Sequence, residues 1–271
     1  MKKLNLITMV AALAMPFAVA AQTVVKGVTA HRGNSVAYPE NTLISFQAGI
    51  DAHADWVELD IRKTKDGQIV ISHDPDTKRA AGVSLVIADV NYSELQKLDV
   101  ASELRKVKGL TTDQCPVEHM PLLKDALELF MKQNRTHVSM HIKVDCVPQA
   151  LAIIKEAKAE KMVGFNDSGL DYLAQAKKLA PEIPIFWDRL PDTNIDDDIK
   201  VAKEHGFETI MMHYSGVTQE KVDKIKAANL KVGAWTVDDR ANMEKMLNMG
   251  VERMYTDNPV LLISIKKELN K

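Results

Sequence analysis

Residues 208–256 read ETIMMHYSGVTQEKVDKIKAANLKVGAWTVDDRANMEKMLNMGVERMYT. A short apolar run from Glu208 gives way to a helix-period stretch over 218–229. A second run starts at Lys231, a second helical stretch covers 240–249, and a third run starts at Glu252. Such alternation is the pattern of stacked βα units, in which each helix returns the chain to begin the next strand parallel to the last. Toward the N-terminus the pattern recurs, with strands expected near His137, Met162 and Ile183 and helices over 148–160, 170–179 and 196–205. Two further strands, 27–31 and 55–61, flank a helix over about 42–53. Eight parallel strands in a chain of this length predict an α/β fold of the (β/α)8 TIM-barrel type, as one domain over 22–271. A doubly wound open sheet is the alternative, but no glycine-rich phosphate loop follows the first strand.

One segment departs from this rhythm. Val57-Glu58-Leu59-Asp60-Ile61 runs into Lys65-Asp66-Gly67 and then Gln68-Ile69-Val70-Ile71-Ser72-His73. Asp-Gly between two β-prone runs signals a hairpin, because a type I′ loop needs positive φ at both central positions. A two-residue loop at Asp66-Gly67 pairs Lys65 with Gln68 and sets Asp60 opposite His73 on one face, which Glu58 shares. This hairpin forms an arm after the second strand. Residues 74–118 lack the alternation and hold one expected helix, over 92–98. They read as an insertion over the barrel mouth, where binding loops gather.

The chain has 271 residues, 46% hydrophobic and 27% charged, with 2 Cys. That composition supports a large core and excludes a disordered chain or a disulfide-dense miniprotein. With Lys+Arg 35 against Asp+Glu 37 and no basic block, no nucleic-acid partner is expected. Lys2 and Lys3, an apolar run over 7–19 and Ala18-Val19-Ala20 read as a cleaved signal peptide over 1–21; a buried N-terminal helix is the bland alternative. The mature protein is then expected in a periplasm or outside the cell, with no stable membrane insertion and no protein partner implied. In that oxidising setting Cys115 and Cys146 are expected to pair, against the alternative of two free thiols.

The C-terminal strand ends of such a barrel form its reaction face. His31 and Arg32 close the first strand, Glu58 and Asp60 lie on the second, and His141-Ile142-Lys143 ends the strand that starts at His137. With His73 from the arm, one mouth gathers two carboxylates for a hard cation, Arg and Lys for an anion, and two histidines for proton exchange. Together they describe metal-assisted phosphoryl transfer. A lone strand-end histidine is more often structural; the coincidence at one face carries the reading. Asn41 or Thr42 reads as the cap of the following helix, and Asn258-Pro259 as the start of the last one. His53, His119, His137 and His205 read as solvated or structural.

Ala30-His31-Arg32-Gly33, Pro39-Glu40-Asn41-Thr42, Glu58-Leu59-Asp60, Asp66-Gly67 and His73-Asp74 resemble the glycerophosphodiester phosphodiesterase family. Ala234-Trp235-Thr236-Val237 and Thr256-Asp257-Asn258-Pro259 are similar to its C-terminal signatures. The resemblance implies a barrel enzyme that splits a glycerophosphodiester into glycerol 3-phosphate and an alcohol with one divalent ion. It implies His31 and His73 as general base and acid, and Arg32 and Lys143 on the phosphate. Glu58 and Asp60 would ligate the metal, and Trp235 would line the pocket near the alcohol, although barrel packing explains Trp235 equally well. In the family a neighbouring substrate hydroxyl attacks phosphorus and water opens the cyclic product. His213, at another strand end, is a candidate substrate contact.

One position departs from the family. His141 stands where a third carboxylate ligand precedes Ile-Lys. Two carboxylates and an imidazole form a softer set, which leans toward Zn²⁺, Mn²⁺ or a similar ion rather than Ca²⁺, with Mg²⁺ also a candidate; the alternative is that His141 does not ligate and the metal is weakly held or absent. Two rivals stay open: a lyase that stops at the cyclic phosphate, and a ligand-binding barrel that lost turnover through His141.

Overall fold

The computed structural model describes residues 25–271; the expected leader over 1–21 lies outside the described residues. The elements run β1 (Gly27–Ala30), α1 (Leu43–Asp51), β2 (Trp56–Lys63), β3 (Ile69–Ile71), α2 (Lys78–Ala81), α3 (Tyr92–Leu95), α4 (Ser102–Lys108), α5 (Leu123–Phe130) and β4 (His137–Ile142). They continue with α6 (Val147–Glu156), β5 (Val163–Asp167), α7 (Leu170–Leu179), β6 (Ile185–Arg189), α8 (Ile195–His205), β7 (Thr209–His213), α9 (Gln219–Ala227), β8 (Lys231–Trp235), α10 (Arg240–Met249), β9 (Arg253–Thr256) and α11 (Pro259–Glu268). Eight parallel strands form a ring in the order β1-β9-β8-β7-β6-β5-β4-β2, closed by pairing of β1 with β2, and β3 adds an antiparallel arm to β2. This is the TIM barrel expected from the alternation.

Strand alternation explains why polar groups reach the barrel interior. Along β2, Val57, Leu59 and Ile61 pack outward in the main core with residues of the surrounding helices, such as Phe46 and Leu127. Their neighbours Trp56, Glu58 and Asp60 point inward. Trp56 joins Phe186, Met211 and Tyr255 in a cluster of its own, with the Arg253 guanidinium 4.3 Å from the Trp56 ring and 3.8 Å from that of Phe186. Parallel pairing runs Trp56–His137, Glu58–Ser139 and Asp60–His141, so the later residues of β2 and β4 carry their side chains toward the C-terminal rim.

Helix ends follow local chemistry. Thr42, not Asn41, caps α1, in a reciprocal capping box with Ser45. Asn258 caps α11 by accepting from the Leu261 amide at 3.1 Å, with Pro259 at its start. The sequence pattern missed α5, whose buried residues Leu123, Ala126, Leu127 and Phe130 nevertheless keep helical spacing.

The arm differs from expectation by one residue. Ile61 pairs with Ile71, Arg62 with Val70 and Lys63 with Ile69. Thr64 donates to the Gln68 carbonyl and Gly67 to that of Thr64, which makes a three-residue Lys65-Asp66-Gly67 loop with Gly67 at φ 79°. Ser72, not His73, therefore lies opposite Asp60, donating its amide to the Asp60 carbonyl at 3.0 Å. A one-residue slip exchanges the two faces of a strand. His73 still reaches the mouth because β3 has already ended and Arg62 grips the His73 carbonyl with two donors, at 2.7 and 3.0 Å.

Residues 74–118 fold as short helices around a small core of Val70, Ile87, Leu95, Val100, Met120 and Leu122. The segment is tied to the loop after β1 by Lys108, which donates to the Val36 carbonyl. The expected Cys115–Cys146 bridge is not formed; both cysteines are free and buried. Cys115 lies in the insertion, whereas Cys146 lies in the barrel core before α6, where burial pushes its thiol up to about 12. No helix among the described residues is long and apolar enough to cross a membrane.

Candidate active site

Glu58 and Asp60 are each 1% exposed. Their carboxylates and the His141 imidazole offer ligand atoms that all lie within 4.8 Å of one another. His141 Nδ1 is 3.8 Å from Glu58 Oε1 and 3.7 Å from Asp60 Oδ1. Asn41, held at φ 57°, binds Asp60 at two points, donating from Nδ2 to Oδ2 at 2.8 Å and accepting the Asp60 amide on Oδ1 at 3.2 Å. Asp60 Oδ1 has no well-formed hydrogen bond, although the Lys143 ammonium stands 3.1 Å away.

Burial would raise the Asp60 carboxyl, but Lys143, His141 and Arg32 outweigh it and hold Asp60 ionised, well below the usual carboxylate range. Glu58 moves the other way, because burial and the adjacent Asp60 charge both disfavour its anion. Two buried carboxylates with ligand oxygens within 4.8 Å of each other favour a shared positive charge, and the Lys143 ammonium stands 3.1 Å from Asp60 Oδ1 at the edge of this group. The donor set therefore fits a divalent ion.

Each of the two histidines has its own carboxylate. His31 Nδ1 lies 2.7 Å from Asp257 Oδ1, and His73 Nδ1 lies 2.7 Å from Asp74 Oδ1. An ionised carboxylate only accepts, so each Nδ1 carries the proton and each Nε2 is left for exchange. Burial acts to lower the His31 pKa, yet the Asp257 hydrogen bond and the Glu58 charge more than offset it and the net shift is upward. His73 is lowered, because burial outweighs Asp60 and Asp74.

Arg32 sits at the turn after β1 in the left-handed region, φ 56°. Its amide donates to Glu58 Oε2 at 3.1 Å, and its guanidinium reaches Glu40 at 3.1 Å and Asp60 at 3.5 Å. Arg79 of α2 binds Glu40 and Asp74 together, with contacts of 2.6 to 2.8 Å. A chain of polar contacts, a hydrogen bond followed by ion pairs, thus runs from His73 through Asp74, Arg79 and Glu40 to Arg32. Gly33 continues the turn at φ 88°, and a Cβ there would lie 2.6 Å from the Ser45 carbonyl group. Gly33→Ala is expected to destabilise the fold by about 1–3 kcal/mol, combining backbone strain with that clash. Chemical denaturation checks it; an unchanged midpoint would contradict the rigidity assigned to this turn.

A cleft of about 180 Å³ opens over these groups, lined by His31, Arg32, Glu58, His73, His141, Lys143 and Trp235 among others. His213 is not among its lining residues. It packs edge-on against Trp235, ring centroids 5.0 Å apart, and bonds Ser215 at 2.8 Å. The structure adds groups with no distinguishing sequence signal. Asp188 is buried in the lining and pushed up to about 6 by burial. Asn166 and Tyr255, also in the lining, both bond the buried Ser139 hydroxyl. Asp257 and Asn41 did stand inside quoted motifs, but a helix cap is indistinguishable from a site anchor until the loop path is known.

The glycerophosphoryl diester phosphodiesterase family model matches residues 31–261. This chain belongs to that family. With it, the chain is a phosphoric diester hydrolase. A glycerophosphodiester phosphodiesterase of Caldanaerobacter subterraneus is 29% identical to this glycerophosphodiester phosphodiesterase family member over 248 residues, covering 89% of this chain and 98% of the relative. The fold is shared with a phosphodiesterase of Oleispira antarctica in complex with the product sn-glycerol-3-phosphate (TM-score 0.77, 24% identity, 89% of this chain and 96% of that one). It is shared equally with a glycerophosphodiester phosphodiesterase from Parabacteroides distasonis (TM-score 0.75, 22% identity, 90% of this chain and 98% of that one).

Proposed function

We propose that this family member hydrolyses glycerophosphodiesters to glycerol 3-phosphate and an alcohol, using one divalent ion held by Glu58, Asp60 and His141 and acid–base exchange between His31 and His73. The observation that carries the reading is the convergence, in one cleft, of two carboxylate-backed imidazoles with that donor set. When bound, the ion supplies charge that stabilises the non-bridging phosphate oxygens. Arg32 and Lys143 neutralise the same oxygens and hold the phosphorus between the histidines. One Nε2 takes the proton of the attacking oxygen, and the other gives a proton to the departing alkoxide. Asp257 and Asp74 keep both rings turned so that these nitrogens face the reaction. Trp235 offers an apolar wall beside the anion site for the alcohol.

The donor set favours Mn²⁺ or Zn²⁺ over Ca²⁺, because a neutral imidazole replaces a hard oxygen. Phosphorus NMR of glycerophosphocholine incubated with enzyme and Mn²⁺, Zn²⁺, Mg²⁺ or Ca²⁺ in turn tests the reading. Glycerol 3-phosphate should accumulate, fastest with the softer ions. Accumulating cyclic glycerophosphate would identify a lyase, and substrate left intact with every metal would identify a binding barrel. The secreted setting expected from the N-terminus would place this reaction outside the cytoplasm.

A further inference from the structure

The geometry points to Asp167 as a positioning residue, one that fixes the His141 ring with Nδ1 toward Glu58 and Asp60. The inference rests on the cation reading above. Asp167 is the last residue of β5 and is 8% exposed. Its Oδ1 is 3.5 Å from His141 Nε2, on the side of the ring away from the two β2 carboxylates. The same oxygen accepts the Gly169 amide at 3.1 Å, which anchors the carboxylate at the start of the following turn.

An imidazole serves as a ligand through one nitrogen only, and only if the proton sits on the other. A carboxylate facing Nε2 selects that tautomer, raises the basicity of Nδ1 and stops the ring from flipping. Lys143 Nζ stands 3.1 Å from His141 Nδ1 and 3.3 Å from Nε2, so the ammonium by itself does not choose between the two nitrogens. The choice falls to the carboxylates: Asp167, at 3.5 Å from Nε2, is nearer to its nitrogen than Glu58 or Asp60 at 3.8 and 3.7 Å are to Nδ1, which favours Nε2–H and leaves Nδ1 to accept. A carboxylate at position 141 would need no such partner, since either oxygen binds in either rotamer. Asp167 also restores, one bond network away, the negative charge that a histidine at 141 does not bring.

The test is Mn²⁺ binding by isothermal titration calorimetry to the full chain, with Co²⁺ absorption as a spectroscopic readout of ligand geometry. Wild type, Asp167→Asn, His141→Glu and the double variant form the cycle, each checked by circular dichroism and by thermal midpoint without metal. Asp167→Asn is expected to weaken Mn²⁺ about 10- to 100-fold, the size typical of losing a carboxylate behind a metal-bound histidine. It should also alter the Co²⁺ spectrum while leaving the metal-free midpoint in place. In the His141→Glu background the same change should cost nothing. Unchanged Mn²⁺ affinity in Asp167→Asn overturns the proposal. An equal loss in both backgrounds overturns it too, because Asp167 would then act on the cation through space and not through His141. A wild type that binds no Mn²⁺ overturns the cation reading itself, and this inference with it.

Discussion

Replacing either His31 or His73 by alanine is expected to lower kcat for glycerophosphodiester hydrolysis by about 10²–10⁴, with KM little changed. Both rings sit in the cleft with Nδ1 bonded to a carboxylate, so what the substitution removes is the free Nε2 and its proton. A group that acts only as bonds form and break contributes to the transition state and not to ground-state binding, which places the loss in kcat. The double variant should fall by less than the product of the two losses, since a base without its acid partner has little left to contribute. A diester with a nitrophenol leaving group separates the roles. Nitrophenolate departs without protonation, so the variant lacking the acid should recover most of its rate on that substrate and the variant lacking the base should not. If either alanine variant kept more than a tenth of the wild-type kcat, proton exchange by that ring would be ruled out.

Asp60→Asn is expected to abolish measurable Mn²⁺ binding and lower activity on the order of 1000-fold, the size of a cation's several kcal/mol at a charged transition state. Asp60 is the carboxylate held ionised by its surroundings, and it belongs to the shared donor group with Glu58 and His141. The same change leaves Lys143 and Arg32 without the anion they flank, at 3.1 and 3.5 Å. Breaking a buried ion pair from one side costs about 3–5 kcal/mol, so the midpoint of unfolding should fall as well. Calorimetric titration with Mn²⁺ on the folded variant distinguishes the two effects. Retained micromolar binding would remove Asp60 from the donor set.

The arm after β2 illustrates how local signals and tertiary context divide the work. Asp66-Gly67 correctly announced a hairpin, because positive φ at Gly67 is a local property. The register was a different matter. Whether the loop holds two residues or three depends on which amide closes it, and Pro121 fixes the far strand by accepting the Ile71 amide from outside the hairpin. His73 came to the cleft by a chain bend past the strand end, and not by the cross-strand pairing that the two-residue loop implied.

From the residues alone, the alternation of apolar runs and helical periods determined the barrel, and the places of His31, Glu58, Asp60, His141 and Lys143 on their strands gathered them toward one rim. Both rest on periodicity, which each segment expresses without its neighbours. The companions of these residues were decided only by the closed ring. His31 meets Asp257 across 226 residues of chain, and His141 meets Asp167 because β5 happens to end level with it. Nothing local records such pairs: an aspartate at a strand end has the same intrinsic preferences whether it faces solvent or an imidazole. Burial supplies the difference, since it turns two ordinary carboxylates into a site with an appetite for a cation.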